Sequence, residues 1–371
     1  LLGNVVGGDE HLDRYVEVGK SGRRLTWYSA FLPDAISQKF TMRLIICRYK
    51  MKSLSDDSSD STADLVNDLT TKYLSTLLAN ERPYFYFLHY MDSHAPYSAS
   101  PEFADQLSVQ HPLPERYSSF ANGSLALCKQ VLADQIDGIA DSRLGFNNLL
   151  ARYGEELMKV DQSIGEVLDL ISASGRPTVI LFTSDHGELF GENDSVLHGD
   201  NVHAGVIRVP FMLSIPGQKQ LRQFAVRPAL TDVPLTLLNA AGFKAKSFGS
   251  GRNLLSEKAA ITALLAVSDQ QFSVEQGGFK MMFEWQSAEG NDSDLSPFAL
   301  YQTSEGVTEE HNLIDNPEYA AQRASLLEEA RQILETAVKR DMRAFDDAER
   351  VRLSELGYAF DEDGNAVETN H

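Results

Sequence analysis

The chain has 371 residues, of which 43 % are hydrophobic and 23 % charged, a composition typical of a globular chain long enough for one large domain or two modest ones. Its 53 acidic and 33 basic residues give a formal net charge of -20, which argues against a nucleic-acid backbone or an anionic membrane surface as the general partner. Two cysteines, Cys47 and Cys128, are too few for a disulfide scaffold or a cysteine-based zinc site, and no apolar run approaches the roughly 20 residues of a membrane span.

The first sixty residues are weakly patterned. The chain begins Leu1-Leu2-Gly3 without an initiator methionine or a signal-peptide pattern, so we expect it to be part of a longer protein. A Ser/Asp-rich run at 53–61 is typical of a solvated loop. Residues 1–62 are therefore predicted to form a poorly patterned N-terminal segment.

The next part of the chain begins with a helix and a strand. Apolar residues at helical spacing predict a helix over 62–78, and an aromatic, apolar run predicts a buried strand over 84–90. The polar segment 98–141 contains three prolines and is predicted to run over the surface, with a short helix near 125–134. It is long for a loop, which favours a functional role.

A second helix and two further strands follow. The helix is predicted over 149–171, where apolar residues recur at i, i+3 and i+4, and Gly175 is expected to close it. Apolar, β-branched runs at 178–183 and 209–215 are predicted to be buried strands. Helix, short turn, buried strand and a polar cluster at the strand's carboxyl end are typical of an open α/β sheet, which predicts an α/β core over 63–255.

The pattern changes near residue 255. A helix at 232–241, stopped by Gly242, ends the α/β part. Stretches at 262–267 and 272–283 then suit a small antiparallel sheet, and a helix is predicted from Pro317 to about Lys339. Residues 256–371 are therefore predicted to form a C-terminal subdomain.

Two polar windows carry the candidate chemistry, each at the carboxyl end of a predicted strand. Asp185 and His186 follow the strand at 178–183, and a carboxylate beside an imidazole suits a divalent cation; the alternative is a solvated pair on a polar loop. Gly187 is expected to let the backbone turn sharply away from this pair. In the other window, His94 lies past the strand end, where a loop can aim it at the same cleft, whereas His89 lies inside the apolar run and is predicted to be a packed core histidine.

Four segments resemble the sulfatase family of the alkaline phosphatase superfamily in order and spacing: PYFYFLHYMDSHAPY at 83–97, YGEELMKVDQSIGEVLDLI at 153–171, TVILFTSDHGELFGENDSVLHG at 178–199 and RVPFMLSIPG at 208–217. TDVPLTLLNAAG at 231–242 and LYQTSEGVTEEHNLIDNPE at 300–318 are similar to the family's later segments. The resemblance implies an alkaline-phosphatase-like α/β/α sandwich, incomplete at its N-terminus, with a small C-terminal sheet and helix. It also implies hydrolysis of a small-molecule or glycan sulfate ester with one divalent cation, Ca²⁺ first, with Mn²⁺ and Zn²⁺ as alternatives.

The resemblance also implies roles for single residues. Asp185 and His186 match metal ligands, and His94 and His198 match residues that contact the transferred group or the leaving oxygen. Sulfatases usually have a lysine at the position of His198; histidine there is familiar from phosphoethanolamine transferases. A phospho-transfer relative acting on a phosphate ester (a phosphoethanolamine transferase, a phosphodiesterase or a phosphatase) and a non-catalytic member of the family are therefore the alternatives. Supporting roles are considered for three more residues: His89, Asp92 and His203. Of these, His203 is expected at the surface or behind the site.

The family's nucleophile motif, Cys/Ser-x-Pro-x-Arg, does not occur in these 371 residues. Neither Cys47 nor Cys128 lies in it, and Asp56-Asp57 in the Ser-rich run is predicted to be solvated loop rather than a metal ligand pair. The formylglycine that this motif yields is expected only if a preceding region supplies it. We therefore expect a fragment with little or no sulfatase activity of its own. Part of its sheet face is expected to be exposed unless residues 1–62 cover it. By family habit, the expected setting is periplasmic or extracellular.

Overall fold

A computed structural model describes residues 41–46, 62–220, 222–256, 263–268, 270–284, 295–303, 309–336, 359–360 and 366–367. Most of the predicted N-terminal segment lies outside the described residues, including Cys47 and the Ser/Asp-rich run, as does the predicted end of the last helix at Lys339. The helices are α1 Thr62–Leu78, α2 Leu125–Ile136, α3 Asp141–Ser174, α4 Ala204–Ile207, α5 Val233–Ala240 and α6 Ala320–Thr336. The strands are β1 Thr41–Ile46, β2 Tyr84–His89, β3 Ile180–Thr183, β4 Leu189–Phe190, β5 Val196–Leu197, β6 Phe211–Ser214, β7 Leu264–Val267, β8 Gln271–Gln276, β9 Phe279–Glu284, β10 Pro297–Gln302, β11 Ala359–Phe360 and β12 Ala366–Val367.

The α/β part places helices against one face of its strands. β2 pairs in parallel with β1, and β3 pairs antiparallel with β6. The hydroxyls of Tyr84 and Thr178 lie 2.8 Å apart and link β2 to the residues before β3. Side chains of α1 and α3 pack on the same face of β2, which buries apolar area and holds the layers together: Val66, Leu74, Leu78, Val167, Tyr84, Tyr86 and Leu88. The predicted α/β architecture is confirmed.

The strands predicted as buried are only half-buried. Phe87 in β2 is 44 % exposed and Met212 in β6 is 58 % exposed. Successive side chains of a strand point to opposite faces, so Phe87 lies on the face of β2 opposite to Tyr86 and Leu88, which pack against the helices. The prediction of full burial was wrong. The expected exposure of a sheet face depends on residues 1–62, most of which lie outside the described residues.

The long helix α3 buries a different face from the predicted one. Gly175, at φ 66°, ends it as expected, but Leu150, Leu157 and Leu168 are exposed. The buried positions include Glu155, Glu156 and Lys159. Burial of these polar groups is possible because each has a partner. Glu155 accepts the N–H groups of residues 107 and 108 at 2.8 and 2.7 Å, Glu156 accepts that of residue 98 at 2.6 Å, and Lys159 lies 2.6 Å from the carboxylate of residue 64.

Segment 98–141 runs over the surface only in part: most of residues 101–122 are exposed, as predicted, but Tyr117 and the helix α2 pack into the core. Tyr117, Leu127 and Val131 are fully buried against Phe146 and Leu149 of α3. Its predicted short helix is α2, whose first turn is capped where the hydroxyl of residue 124 accepts the N–H of residue 127 at 3.2 Å. The correction has a physical reason: irregular backbone can be buried here because the carboxylate of residue 155 supplies acceptors for its N–H groups.

The predicted C-terminal sheet and helix are both present. The strands pair antiparallel in the order β10-β9-β8-β7. Gly277 and Gly278, with φ of 61° and 82°, make the tight turn between β8 and β9, which only residues tolerant of positive φ can form. Phe272 and Phe283 stack at 4.6 Å between ring centroids, and Leu326 of α6 packs on the same cluster. The three-part division of the chain stays a prediction.

Candidate functional site

Three histidines from distant parts of the sequence meet at one end of the α/β part. His186 follows β3, His94 lies past β2, and His198 follows β5. The rings of His186 and His198 stack with centroids 3.9 Å apart, and His94 meets His198 edge-on at 5.1 Å. We call these three residues the histidine cluster. The structure therefore brings together the two histidines that the sequence places at predicted strand ends, His94 and His186, and His198, which the family resemblance singles out.

Each ring of the histidine cluster has its Nδ1 atom beside an acceptor. Nδ1 lies 2.7 Å from the carbonyl oxygen of residue 95 in His94, 2.9 Å from that of residue 187 in His186, and 3.0 Å from Glu188 Oε1 in His198. A carbonyl oxygen can only accept, so Nδ1 of His94 and His186 must carry the proton. Nε2 of each ring then faces away from this acceptor: in a neutral imidazole it has a lone pair that can bind a metal ion, and in an imidazolium it has a proton that can be donated to an anion.

Asp185 lies beside the histidine cluster and faces solvent. Its side chain is 66 % exposed, and its Oδ2 atom is 3.7 Å from Nε2 of His186. A carboxylate oxygen and an imidazole nitrogen at this separation suit a shared divalent cation, which binds each at roughly 2.0–2.6 Å. Among the described residues, no three or more His, Cys, Asp or Glu side chains are grouped to hold a metal ion. The pair fits a cation as part of a coordination sphere, and further ligands must come from elsewhere.

Gly187 lets two backbone segments touch directly behind the site. A Cβ atom at this position would lie 2.1 Å from the carbonyl oxygen of Gly205 in α4, a distance that real Cβ atoms do not reach. The N–H of Gly187 donates to the carbonyl of Val206 at 2.7 Å. Close approach of α4 therefore requires the glycine here, whereas its φ is not in the positive range that would need glycine for the turn.

The residues directly before two of the histidines have positive φ. Ser93 (φ 75°) precedes His94, and Leu197 (φ 62°) precedes His198. A non-glycine residue with such a φ destabilises the fold by about 1–3 kcal/mol, and the surrounding packing must offset this cost. Leu197 packs on the buried cluster around Phe146. Such backbone conformations concentrate at functional sites, which supports a preorganised role for the two rings.

Glu188 is a site residue that the sequence did not single out. Its side chain is only 5 % exposed, and it accepts hydrogen bonds from the Tyr97 hydroxyl at 2.9 Å and from His198 Nδ1 at 3.0 Å. Burial, and next the Glu188 charge, raise the pKa of Tyr97 far above its ordinary value, so Tyr97 donates its proton at any physiological pH. From the sequence alone, a glutamate that follows Asp-His-Gly is expected in a solvated loop. The apolar residues Leu189 and Phe190, which follow it directly, were the only local indication that it is buried.

The three residues considered for supporting roles lie in different surroundings. His89 is half-buried at the end of β2, with its ring 6.2 Å from that of Phe87. No ring contact joins it to the histidine cluster within the described part of the chain. Asp92 lies close enough to Glu156 for its charge to raise the pKa of that carboxyl. Neither residue is placed in the cluster itself.

His203 is buried, so the first of its two expected placements, at the surface, is wrong, and a placement behind the site stays a prediction. Its Nδ1 lies 2.8 Å from Glu309 Oε2, and Lys280 Nζ lies 2.5 Å from Glu309 Oε1. Glu309 also accepts the N–H of Ala204 at 3.0 Å. Burial works against the ionised carboxyl, but His203 and Lys280 outweigh it and hold the pKa of Glu309 at about 2. This network joins α4, and through it Gly187, to the C-terminal sheet.

Glu156 makes the stability of the fold depend on pH. Burial raises the pKa of Glu156 to about 8. The Asp92 charge adds to this increase, and the hydrogen bond from the Ser98 N–H opposes it. The same carboxyl in the unfolded chain titrates near pH 4 to 5. Between about pH 5 and pH 8, unfolding therefore releases a proton from Glu156. As the pH rises through this window, the free energy of unfolding of the wild type is expected to fall by on the order of a few kcal/mol.

Glu156→Gln is expected to remove most of this slope, because the amide cannot ionise and its oxygen can still accept the Ser98 N–H. Urea denaturation at pH 5, 6.5 and 8 measures it, with the exposed Glu115→Gln as the matched control. Parallel pH profiles for Glu156→Gln and the wild type would contradict the burial of an uncharged Glu156.

Comparison with known proteins gives consistent matches. The protein-family model Sulfatase matches residues 40–243, more than half of the chain. A Caenorhabditis elegans homolog of the extracellular sulfatase Sulf-1 is 27 % identical over 54 % of this chain and 29 % of its own length. An arylsulfatase of Clostridium perfringens is 25 % identical over 64 % of this chain and 50 % of its own. The chain thus spans half or less of the length of these two relatives.

The fold is similar to that of solved structures. The structure of a 2-O GAG sulfatase superposes with a TM-score of 0.51 at 17 % identity, covering 78 % of this chain and 67 % of that one. This similarity confirms the predicted alkaline-phosphatase-like fold class. Among the described helices, none is long and apolar enough to cross a membrane.

Proposed function

Because the chain belongs to the sulfatase family, we propose that it carries the cation-binding and anion-binding side of a site for the hydrolysis of sulfate esters. Asp185 and His186 are proposed to bind the cation, and His94 and His198 to bind the sulfate group. The observation that supports this proposal is the meeting of the three histidines beside Asp185.

The proposed roles follow from the contacts of each side chain. His186 is held with Nδ1 toward a backbone carbonyl, which leaves Nε2 and the exposed Asp185 carboxylate to bind a divalent cation. A cation held by Asp185 and His186 would supply Lewis-acid chemistry, stabilising negative charge on a sulfate oxygen. His94 and His198 lie beside that position, where their rings can contact the remaining sulfate oxygens or the leaving oxygen. A local positive charge is needed because the chain as a whole carries a charge of -20.

The proposal excludes turnover by these residues alone. No Cys/Ser-x-Pro-x-Arg segment, the source of the family's formylglycine nucleophile, occurs in the 371 residues. We therefore propose that the chain binds sulfate without hydrolysing an aryl sulfate. Metal-dependent turnover of an aryl sulfate by this polypeptide would contradict this part of the proposal.

The names of the relatives suggest the substrate class and the setting. One relative is described as a homolog of an extracellular sulfatase, and one structural neighbour as a GAG sulfatase. By analogy we propose a sulfated glycan or a small sulfate ester as the substrate of the whole protein, and an extracytoplasmic location.

Binding of inorganic sulfate in the presence of CaCl₂ tests the proposed anion site. His94→Gln and His198→Gln are each expected to weaken sulfate binding about tenfold, because each removes one hydrogen bond to a charged group. His111→Gln, at an exposed histidine outside the histidine cluster, is the matched control and is expected to bind like the wild type. Isothermal calorimetry measures all four affinities. Equal affinities for the cluster variants and the control would overturn the assignment.

A further inference from the structure

The hydroxyl of Ser184 bonds across the turn that carries Asp185 and His186. It lies 2.6 Å from the carbonyl oxygen of His186 and 3.4 Å from Asp185 Oδ1. A hydroxyl has one proton to donate, and only the carbonyl lies within ordinary hydrogen-bond distance of it. The proton of Ser184 therefore goes to the His186 carbonyl, and this bond closes a small loop of backbone that contains both residues.

The peptide unit between His186 and Gly187 is held from both sides. Its carbonyl oxygen accepts the Ser184 hydroxyl, and its N–H donates to the carbonyl of Val206 at 2.7 Å. The second bond comes from α4, whereas the first comes from the residue directly after β3. Because a peptide unit is planar, fixing both of its polar groups fixes its orientation, and with it the direction in which the His186 side chain leaves the backbone.

The same turn holds Asp185. Its Oδ1 atom accepts the backbone N–H of His186 at 3.0 Å, and its Oδ2 atom lies 3.7 Å from Nε2 of His186. The end of β3 is anchored to the chain before β6, because the Thr183 hydroxyl donates to the carbonyl of Pro210 at 2.8 Å. Ser184 is thus the side chain that ties the anchored end of β3 to the two proposed ligands.

We propose that Ser184 is a positioning residue for the cation site: its bond to the His186 carbonyl keeps the Asp185 carboxylate and the His186 imidazole at a separation at which one divalent cation can bind both. This inference rests on the function proposed above and adds a residue to its cation side. Ser184 acts through the backbone, as a residue that orients ligands rather than as a ligand.

The alternative role for Ser184 is purely structural. In that case the hydroxyl only satisfies a carbonyl group, and its loss lowers stability without changing cation affinity. Ser184→Ala removes the hydroxyl, and Ser184→Thr keeps it. Ser174→Ala is the matched control, because the exposed Ser174 makes the same kind of bond, to the carbonyl of Ile171 at 2.6 Å, at the end of α3 before β3.

The test has two readouts on the full chain. Calorimetric titration with Ca²⁺, Mn²⁺ and Zn²⁺ in the presence of inorganic sulfate measures cation affinity. Amide hydrogen exchange of Gly187, followed by NMR without added cation, measures how firmly the turn is held. We expect Ser184→Ala to bind cation at least about tenfold more weakly than the wild type, and to exchange the Gly187 N–H at least about tenfold faster. We expect Ser184→Thr and Ser174→Ala to match the wild type in both readouts.

Two results would overturn the inference. One is unprotected exchange of the Gly187 N–H in the wild type, a reading that needs no variant to fold. The other is a folded Ser184→Ala variant that keeps the cation affinity of the wild type. The proposed function fails separately: a wild type that binds no cation, but whose Gly187 protection depends on Ser184, supports the positioning of the turn and contradicts the cation site.

Discussion

Replacement of Lys280 by methionine is expected to lower the free energy of unfolding by about 3–5 kcal/mol. The Lys280 side chain is 2 % exposed, and its Nζ donates to Glu309 Oε1 and to the carbonyl of Val202, both at 2.5 Å. Burial lowers the pKa of Lys280, and the Glu309 charge opposes that shift. Without the ammonium group, the Glu309 carboxylate remains buried and lacks its cationic partner, which is the costly part of breaking such a pair.

Guanidinium denaturation at pH 7 measures this loss. Lys129→Met, the same substitution at an exposed lysine of α2, is the matched control and is expected to change stability by no more than about 0.5 kcal/mol. The double variant Lys280→Met/Glu309→Gln is expected to recover part of the loss, because it removes the stranded charge. A Lys280→Met variant no less stable than the control would show that the pair does not hold the C-terminal sheet to α4.

The elements that the sequence predicted well are those with local causes. The helix at 62–78 follows from the spacing of its own apolar residues, and the end of α3 follows from Gly175. The C-terminal sheet is likewise a local event, since Gly277-Gly278 sets the turn between two adjacent strands. In each case the residues that decide the structure lie within a few positions of it.

The buried face of α3 could not be read from the sequence, because its partners are remote. Leu150 and Leu157 satisfy the apolar period and are exposed, while Glu155 and Lys159 are buried. The donors that make burial of Glu155 possible come from backbone N–H groups 47 and 48 residues earlier. Periodicity measures side-chain polarity only, so a charged face that is neutralised by distant groups looks like a solvent face.

The candidate site was predicted only in part, because some of its contacts also come from remote parts of the chain. His94 and His186 follow predicted strands, and strand ends meet in an α/β fold, so their approach could be anticipated; His198 was singled out only by the family resemblance. The place of Glu188 could not be anticipated, because it depends on the hydrogen bond from Tyr97 and on burial beneath the histidine rings. Whether these residues act as proposed stays a prediction.

Asp185→Ala is expected to abolish binding of a divalent cation by the chain, or to weaken it at least tenfold. Asp185 supplies the carboxylate of the proposed pair, and hard cations such as Ca²⁺ depend on oxygen ligands and on negative charge. His186 alone would leave one neutral ligand, which favours Zn²⁺ or Mn²⁺ over Ca²⁺ but binds each more weakly than the pair. Asp169→Ala, at an exposed aspartate of α3, is the matched control.

A calorimetric titration with Ca²⁺, Mn²⁺ and Zn²⁺ in the presence of inorganic sulfate tests the cation site of this sulfatase-family chain most directly. The proposed site predicts saturable binding of at least one ion, with Ca²⁺ first, in the wild type and in Asp169→Ala, and its loss in Asp185→Ala. Absence of saturable binding for all three ions, or a titration curve that Asp185→Ala leaves unchanged, would contradict it.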